Sequence, residues 1–225
     1  MRLRKKKYLQ ERVDAVAENL VGKDCYGFYK LEDKSSYMLN YNKIFSSGKE
    51  VHLEIGCGKA DFLLEKSADF KNVNFIGVEK LINVLVDALE RVPSGIKNLK
   101  FLNIDAQNVE HFIPSGSVQK IYLNFSCPYP KKQYANHRLT NSKFLEIYKK
   151  ICVPNFTIEQ KTDNDTFFEY SLQEYEKSGF EIVKITRDLH EEKDFSEEKK
   201  YLTQYEKKFM SLGKNINFVK VRYKG

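Results

Sequence analysis

Residues 51–61 read VHLEIGCGKAD, and the prediction of the fold begins with this stretch. Residues 51–55 include the β-formers Val51 and Ile55 with Leu53 between them, which predicts a strand. Gly56 and Gly58 then punctuate a tight turn, and the apolar spacing that follows predicts a helix over about 59–68. The stretch therefore predicts one strand–turn–helix module.

The same alternation of elements continues towards the C-terminus. The further predicted strands are 73–78, 99–104, 118–124, 156–161, 180–186 and 216–222. The predicted helices besides 59–68 are 8–20, a segment carrying Leu81, Val84, Leu85 and Ala88, then 141–151 and 165–177. Such alternation predicts an α/β fold with a mostly parallel, doubly wound, seven-stranded sheet and right-handed crossovers.

The chain divides by sequence into a short lead-in and one larger domain. Residues 1–48 hold a basic arm, a helix and an irregular segment, and residues 49–225 form the predicted domain. The arm, 2–7, has five cations in six residues. It is either a solvated tail or an arm that contacts phosphate.

Composition narrows the possible partners. A net charge of +7 favours nucleic acid or an anionic surface, although solvated lysines alone give the same value. No apolar run reaches about 18 residues, so no membrane span is predicted. Neither the four cysteines nor the four histidines cluster, which predicts no metal site and a reducing, cytoplasmic compartment.

Polar residues and glycines follow the predicted strands at their carboxyl ends, where doubly wound sheets bind ligands. They are Glu54, Gly56, Gly58, Glu79, Asp105, Asn124, Cys127 and Asp163. We therefore predict a ligand site at these ends.

The glycine turn after the first predicted strand distinguishes between possible cofactors. A dinucleotide fingerprint needs a third glycine where this chain has Asp61, and no P-loop is present. An acidic residue followed by GxG is typical of S-adenosylmethionine (SAM) methyltransferases. Glu79 suits the ribose hydroxyls, and Asp105 with Ala106 suits the adenine edge. The alternative is a plain tight turn and an acid that favours a helix start.

A second informative stretch, 121–139, reads IYLNFSCPYPKKQYANHRL. Its two prolines predict a stiff loop directly after a strand. The cations that follow suit a phosphate backbone, and the interleaved tyrosines could stack on an unpaired base. A solvated run of charges is the alternative.

Three segments together, LNFSCPYPKKQYANHRLT at 123–140, KTDN at 161–164 and TQYEKKF at 203–209, resemble the bacterial tRNA (guanine-N7-)-methyltransferase family. The resemblance covers essentially the whole chain. It implies a Rossmann-like class I methyltransferase with an antiparallel last strand. It also implies methyl transfer from SAM to N7 of the guanosine at nucleotide 46, in the variable loop of tRNA.

The resemblance also implies roles for individual residues. The catalytic positions are Cys127 and Asp163. The implied SAM contacts are Glu54, Gly56, Gly58, Glu79, Asp105, Ala106, Asn124 and Cys127. The implied tRNA contacts are Lys131, Gln133, Arg138, Asp163, Thr203, Tyr205 and Glu206.

One departure from the family bears on activity. The family's loop usually reads DPWP, whereas this chain reads CPYP, so Cys127 replaces an aspartate. Guanine N7 has a free lone pair and needs no general base, so we expect Asp163 and Glu206 to hold the guanine while Cys127 lines the pocket.

Several alternatives stay open at this point. They are a catalytically weakened tRNA-binding protein, a small-molecule methyltransferase, and a cysteine nucleophile at Cys127. The sequence also leaves a monomer and a homodimer equally open.

Overall fold

A computed structural model describes residues 6–22, 37–45 and 50–225. The chain forms two compact units, Met1–Pro114 and Ser115–Gly225. The expected boundary at residue 48, most of the basic arm and Cys25 lie outside the described residues. Among the described helices, none is both long and apolar enough to cross a bilayer.

The first unit contains a four-stranded parallel sheet. Its order is β1-β4-β3-β2, formed by Leu20–Val21, Leu99–Leu102, Val73–Val78 and Glu50–Ile55 respectively. The helices are α1 (Leu9–Ala15), α2 (Tyr41–Ile44), α3 (Asp61–Asp69) and α4 (Ile82–Leu89), with 3-10 turns at Ala17–Asn19 and Ala106–His111.

The second unit contains a mixed sheet in the order β5-β6-β8-β7. These strands are Val118–Asn124, Cys152–Thr162, Asn217–Tyr223 and Phe180–Thr186; β5 and β6 are parallel, and β8 is antiparallel to both of its neighbours. The helices are a 3-10 helix at Lys132–His137, then α5 (Ser142–Ile151), α6 (Asp165–Lys177), α7 (Ser196–Lys200) and α8 (Gln204–Ser211). The antiparallel last strand is thus confirmed.

The described residues hold eight strands, so the predicted count of seven is wrong. The predicted helix at 8–20 ends at Ala15, where Leu9 and Val13 have already packed against Val86 of α4. Leu20 and Val21 instead pair with β4 as a short edge strand. The apolar spacing at 8–20 therefore served two different elements.

Three further differences concern where elements begin and which helices form. Helix α3 begins at Asp61 rather than at 59, because Gly58 and Ala60 have φ of +56° and +58°, which no right-handed helix contains. Strand β6 begins at Cys152, four residues before its predicted start at 156. Helices α7 and α8 were not predicted, since both are short and mostly polar.

Gly77 is the point of closest packing in the first unit. Every residue of β3 is buried, and a Cβ added at Gly77 would lie 2.7 Å from a ring carbon of Phe101 and 2.9 Å from Cys57 Sγ. Phe101 is fully buried. Glycine at this position therefore lets β3 and β4 approach the turn after β2.

We expect Gly77→Ala to lower the free energy of unfolding by about 1–3 kcal/mol, because it overpacks this contact. Thermal unfolding should show a loss of roughly 2–4 °C in Tm per kcal/mol for a chain of this size. Gly95→Ala is the matched control, since nothing lies within 4 Å of a Cβ there. An equal Tm for both variants would contradict the packing argument.

Candidate active site

The turn after β2 is fixed by a carboxylate from the end of β3. Glu79 accepts a hydrogen bond from the Gly58 amide at 3.2 Å and another from the Leu81 amide at 2.8 Å. Gly56 and Gly58 have φ of +80° and +56°, a region that favours glycine. Glu79 therefore joins two strand ends and orients the glycine turn.

Burial perturbs the ionisable groups beside this turn. Burial raises the pKa of Glu79, although hydrogen bonds from three backbone amides partly oppose it. Burial also raises the pKa of the Cys57 thiol well above its usual value, and the carboxylates of Glu54 and Glu79 raise it further. Glu54 is itself only 2% exposed. Cys57 thus stays a neutral thiol beside two carboxylates.

The end of β4 supplies the third carboxylate of this group. Asp105 accepts from the Gln107 amide at 3.1 Å, which caps the 3-10 helix that Ala106 begins. It also accepts from Lys80 Nζ at 2.6 Å. Asn103, which the sequence did not single out, donates to the carbonyl oxygens of Glu79 and Lys80 at 2.7 and 3.1 Å. The ends of β3 and β4 are therefore joined by polar contacts.

The residues at the ends of β2, β3 and β4 fit SAM, the methyl donor that the sequence predicted. A Cβ at Gly58 would meet nothing within 4 Å, so the turn has open space on that side. Carboxylates are acceptors, which suits the hydroxyl and ammonium donors of SAM. No group of three or more His, Cys, Asp or Glu residues in the described part of the chain could hold a metal ion.

The proline loop of the second unit leaves β5 through a left-handed residue. Asn124 ends the strand and is buried. Phe125 has φ of +50°, and its amide donates to the carbonyl oxygen of Lys161 at 2.9 Å. Cys127 is exposed and has a free thiol. Tyr129, the residue before the second proline, has φ of +40°.

Beyond the prolines, the loop presents cations and aromatic rings to solvent. Lys131, Lys132, Gln133, Tyr134 and His137 are all exposed. The His137 ring lies 5.6 Å from that of Tyr129 and 6.1 Å from that of Tyr134, between centroids. This surface is accessible to a polyanion with unpaired bases.

Arg138 differs from the other cations of the loop because it is only 7% exposed. Its Nε and Nη2 atoms each donate, at 2.9 Å, to the carbonyl oxygens of Pro128 and Tyr129 respectively. Its guanidinium carbon lies 4.2 Å from the centroid of the Tyr170 ring. The side chain expected to contact tRNA therefore makes its observed contacts within the protein.

Asp163 follows directly after β6 and is half-buried. Its Oδ2 accepts from Lys214 Nζ at 2.7 Å. Lys214 also lies over the Phe209 ring of α8, 4.8 Å from the centroid. Lys214 therefore orients the carboxylate, and the sequence motifs did not identify this lysine.

The three residues that the TxYE motif specifies, Thr203, Tyr205 and Glu206, differ in their surroundings. Thr203 and Glu206 form the capping box of α8, and Glu206 is fully buried. Lys161 Nζ donates to both oxygens of Glu206, at 3.0 and 3.1 Å, and His190 Nε2 lies 3.0 Å from one of them. Tyr205 is 58% exposed. Only Tyr205 of the three is readily reached by a large substrate.

Sequence reasoning missed the residues that hold the site residues in place. They are Asn103, Lys161, Tyr170, His190 and Lys214. Lys161 had a signal, because it opens the KTDN segment. The other four had none, since their partners are distant along the chain.

Comparison with known proteins identifies the fold and the family. The family model described as "Putative methyltransferase" matches residues 48–219. A tRNA (guanine-N(7)-)-methyltransferase of Geobacillus sp. is 37% identical over 224 residues, 99% of this chain and 96% of that protein. The protein of the same name from Bacillus cytotoxicus is 35% identical over 225 residues, 100% of this chain and 98% of that protein.

Solved structures support the fold alone. The crystal structure of the 16S rRNA methyltransferase KamB superposes with a TM-score of 0.62 at 12% identity, covering 92% of this chain and 99% of that chain. The fold is therefore Rossmann-like, and the family model over residues 48–219 makes the chain a class I methyltransferase. Because both relatives are 35–37% identical to this chain over essentially its whole length, the chain belongs to the tRNA (guanine-N7-)-methyltransferase family.

We expect Glu79→Gln to weaken SAM binding about 10- to 100-fold, because a charged acceptor becomes a neutral amide. Calorimetric titration measures the change, with the exposed Glu65→Gln on α3 as the matched control. An unchanged affinity would show that Glu79 does not contact SAM.

The same variant gives a stability test with a defined sign. Because burial raises the pKa of Glu79, the Glu79 carboxyl binds its proton more tightly in the folded protein than in the unfolded chain. The wild type should therefore gain stability relative to Glu79→Gln as the pH falls through that pKa. Tm measured between about pH 8 and pH 4 gives the difference; a difference independent of pH would contradict it.

Glu206→Ala should lower the free energy of unfolding by about 3–5 kcal/mol, since it leaves the Lys161 ammonium buried without its carboxylate. Urea unfolding at pH 7 measures the loss. Glu181→Ala, which removes an exposed pair with Lys224, is the control and should cost less than about 1 kcal/mol. Equal losses would show that burial of the Lys161–Glu206 pair is unimportant.

Proposed function

We propose that this chain transfers the methyl group of SAM to N7 of the guanosine at nucleotide 46 of tRNA. The observation that carries the proposal is 35–37% identity, over essentially the whole chain, to two tRNA (guanine-N(7)-)-methyltransferases. The strand ends of this chain also hold the expected carboxylates. The proposal places the chain in the cytoplasm with its tRNA, as a monomer or a homodimer.

The first unit would hold the methyl donor. Glu54 and the glycine turn suit the amino-acid moiety, Glu79 suits the ribose hydroxyls, and Asp105 with Ala106 suits the adenine edge. When bound, SAM supplies a methyl group on an electrophilic sulfonium. Glu79 serves two purposes here, because the carboxylate that would bind ribose already fixes the Gly58 amide.

The second unit would hold the guanine. N7 carries a lone pair and no proton, so no side chain has to act as a general base. The purine acquires positive charge as it takes the methyl group, and a fixed carboxylate stabilises that charge. Asp163, held by Lys214, is the accessible candidate. Cys127 is exposed, and we assign it to the lining of the pocket together with Asn124.

The exposed part of the loop would bind tRNA. Lys131 and Lys132 suit phosphates, and Gln133 can donate to or accept from a base edge. Tyr205 of α8 stacks on Phe209, with ring centroids 6.3 Å apart and planes 25° apart. That exposed ring is suited to stacking on an unpaired base.

A tRNA-binding protein without activity is not supported. Both relatives are named as methyltransferases, and the chemistry of N7 does not require the aspartate that Cys127 replaces. A cysteine nucleophile is equally unnecessary, because N7 needs no covalent activation.

The experiment that tests the function is methyl transfer to unmodified tRNA, with the product mapped to its base and atom. We expect one 7-methylguanosine, at nucleotide 46. A methyl group on another base or atom would overturn the assignment.

Within that assay, Asp163→Asn should lower kcat about 100-fold, with a much smaller change in KM for tRNA, because the charge it stabilises develops only during transfer. Asp188→Asn, beyond β7, is the matched control for loss of a carboxylate. Near-normal turnover by Asp163→Asn would remove Asp163 from the catalytic role.

A further inference from the structure

We propose that Arg138 is a positioning residue, which holds the Cys127-Pro128-Tyr129-Pro130 turn in the conformation needed for methyl transfer instead of contacting tRNA. The inference rests on the proposed function, because it assigns a task within that reaction. It also revises the role that family resemblance gives to this residue.

The geometry of the contact is that of a clamp. Arg138 follows the 3-10 helix, and its side chain reaches back about ten positions to the turn that precedes the helix. Two of its donors bind consecutive carbonyl oxygens, those of Pro128 and Tyr129, both at 2.9 Å. A guanidinium suits this because its donors form a rigid planar fork.

The turn needs such a clamp because its backbone is strained. Tyr129 has φ of +40°, a left-handed value that costs a residue with a Cβ roughly 1–2 kcal/mol. The following proline also disfavours the right-handed helical region for Tyr129. Hydrogen bonds to the carbonyls on either side of the Tyr129 Cα offset this strain and select one conformation.

The far side of the guanidinium is anchored by α6. Its central carbon lies 4.2 Å from the centroid of the Tyr170 ring. The Tyr170 hydroxyl accepts a hydrogen bond from the side-chain Nδ2 of Asn141 at 2.7 Å. The backbone amide of Asn141 donates to the Arg138 carbonyl oxygen at 2.9 Å. Arg138, Asn141 and Tyr170 thus form a closed set that fixes the clamp to the helix.

The same contacts argue against a phosphate ligand for this arginine. Its residual exposure is 7%, whereas Lys131 and Lys132 are exposed a few residues earlier. The guanidinium already donates to two carbonyl oxygens and is covered by protein, so little of its surface is left for a phosphate to reach. The exposed lysines therefore attract the tRNA phosphates, whereas Arg138 maintains the conformation of the proline turn.

The test compares Arg138→Lys with Arg138→Ala in methyl transfer and tRNA binding. For a clamp, lysine fails to replace arginine, and kcat falls at least about 10-fold in both variants. The KM for tRNA and the salt slope of tRNA binding stay close to wild type. For a phosphate contact, lysine restores most activity, while alanine weakens binding and lowers the salt slope by about 1.

Two further variants keep the test decisive. Tyr170→Leu removes the supporting ring and leaves the charge, so it should lower kcat with little change in KM. Arg187→Lys is the matched control, because Arg187 also lies over a ring of α6, that of Phe168, but is exposed. Full activity of Tyr170→Leu together with rescue by Arg138→Lys would overturn the proposal.

A readout independent of activity separates this inference from the proposed function. Trypsin cleavage after Lys131 and Lys132, mapped by mass spectrometry, reports how well the loop is held. Cleavage should be several-fold faster in Arg138→Lys than in Arg187→Lys. Equal rates would overturn the clamp even in an active enzyme, whereas faster cleavage in an enzyme inactive on tRNA would contradict only the function.

Discussion

Within each unit, the turns just beyond the ends of the strands depend on charged side chains that bind backbone groups. Backbone amides and carbonyls leave the sheet ladder there, and each needs another partner if it is buried. Glu79 provides that partner for the Gly58 and Leu81 amides, and Arg138 provides it for two carbonyls of the proline loop. The turns are therefore defined before any ligand binds.

Lys161 extends the same principle to the late part of the chain. Its carbonyl oxygen accepts the Phe125 amide at the start of the proline loop, while its ammonium binds the buried Glu206 of α8. One residue of β6 thus connects two segments that carry family motifs. Glu206 makes these contacts with full burial, so its contribution to activity is expected to run through the placement of α8.

This preorganisation suits the reaction. N7 of guanine is nucleophilic without deprotonation, so the protein's contribution is alignment and stabilisation of charge. Substitution of the loop aspartate by Cys127 is compatible with that requirement as long as the turn keeps its shape. In the proposed reaction, Asp163 would then supply the negative charge.

The sequence predicted the elements that periodicity specifies. Strands β2, β3, β5 and β7 lie within one residue of their predicted bounds, because apolar runs between turn residues are local signals. It failed for the edge strand at Leu20–Val21 and for α8. The first is a two-residue strand paired with β4, and the second has a capping box as its local signal but is held by the distant Lys161.

The site residues show the same limit more sharply. Glu79 and Asp105 could be identified as polar residues at strand ends, where order along the chain implies position. Arg138 and Tyr205 are both polar members of family motifs, yet one is buried and the other exposed. A sequence motif records which residues occur together, and it does not tell whether a charge is bound inside the protein or faces a substrate.

Two tRNA transcripts that differ at one ring position test directly whether N7 of guanine accepts the methyl group. One carries guanosine at nucleotide 46 and the other 7-deazaguanosine, in which carbon replaces N7, and both are incubated with enzyme and labelled SAM. We expect methyl transfer to the first transcript and none to the second. Methylation of the 7-deaza transcript at the rate of its guanosine counterpart would contradict it.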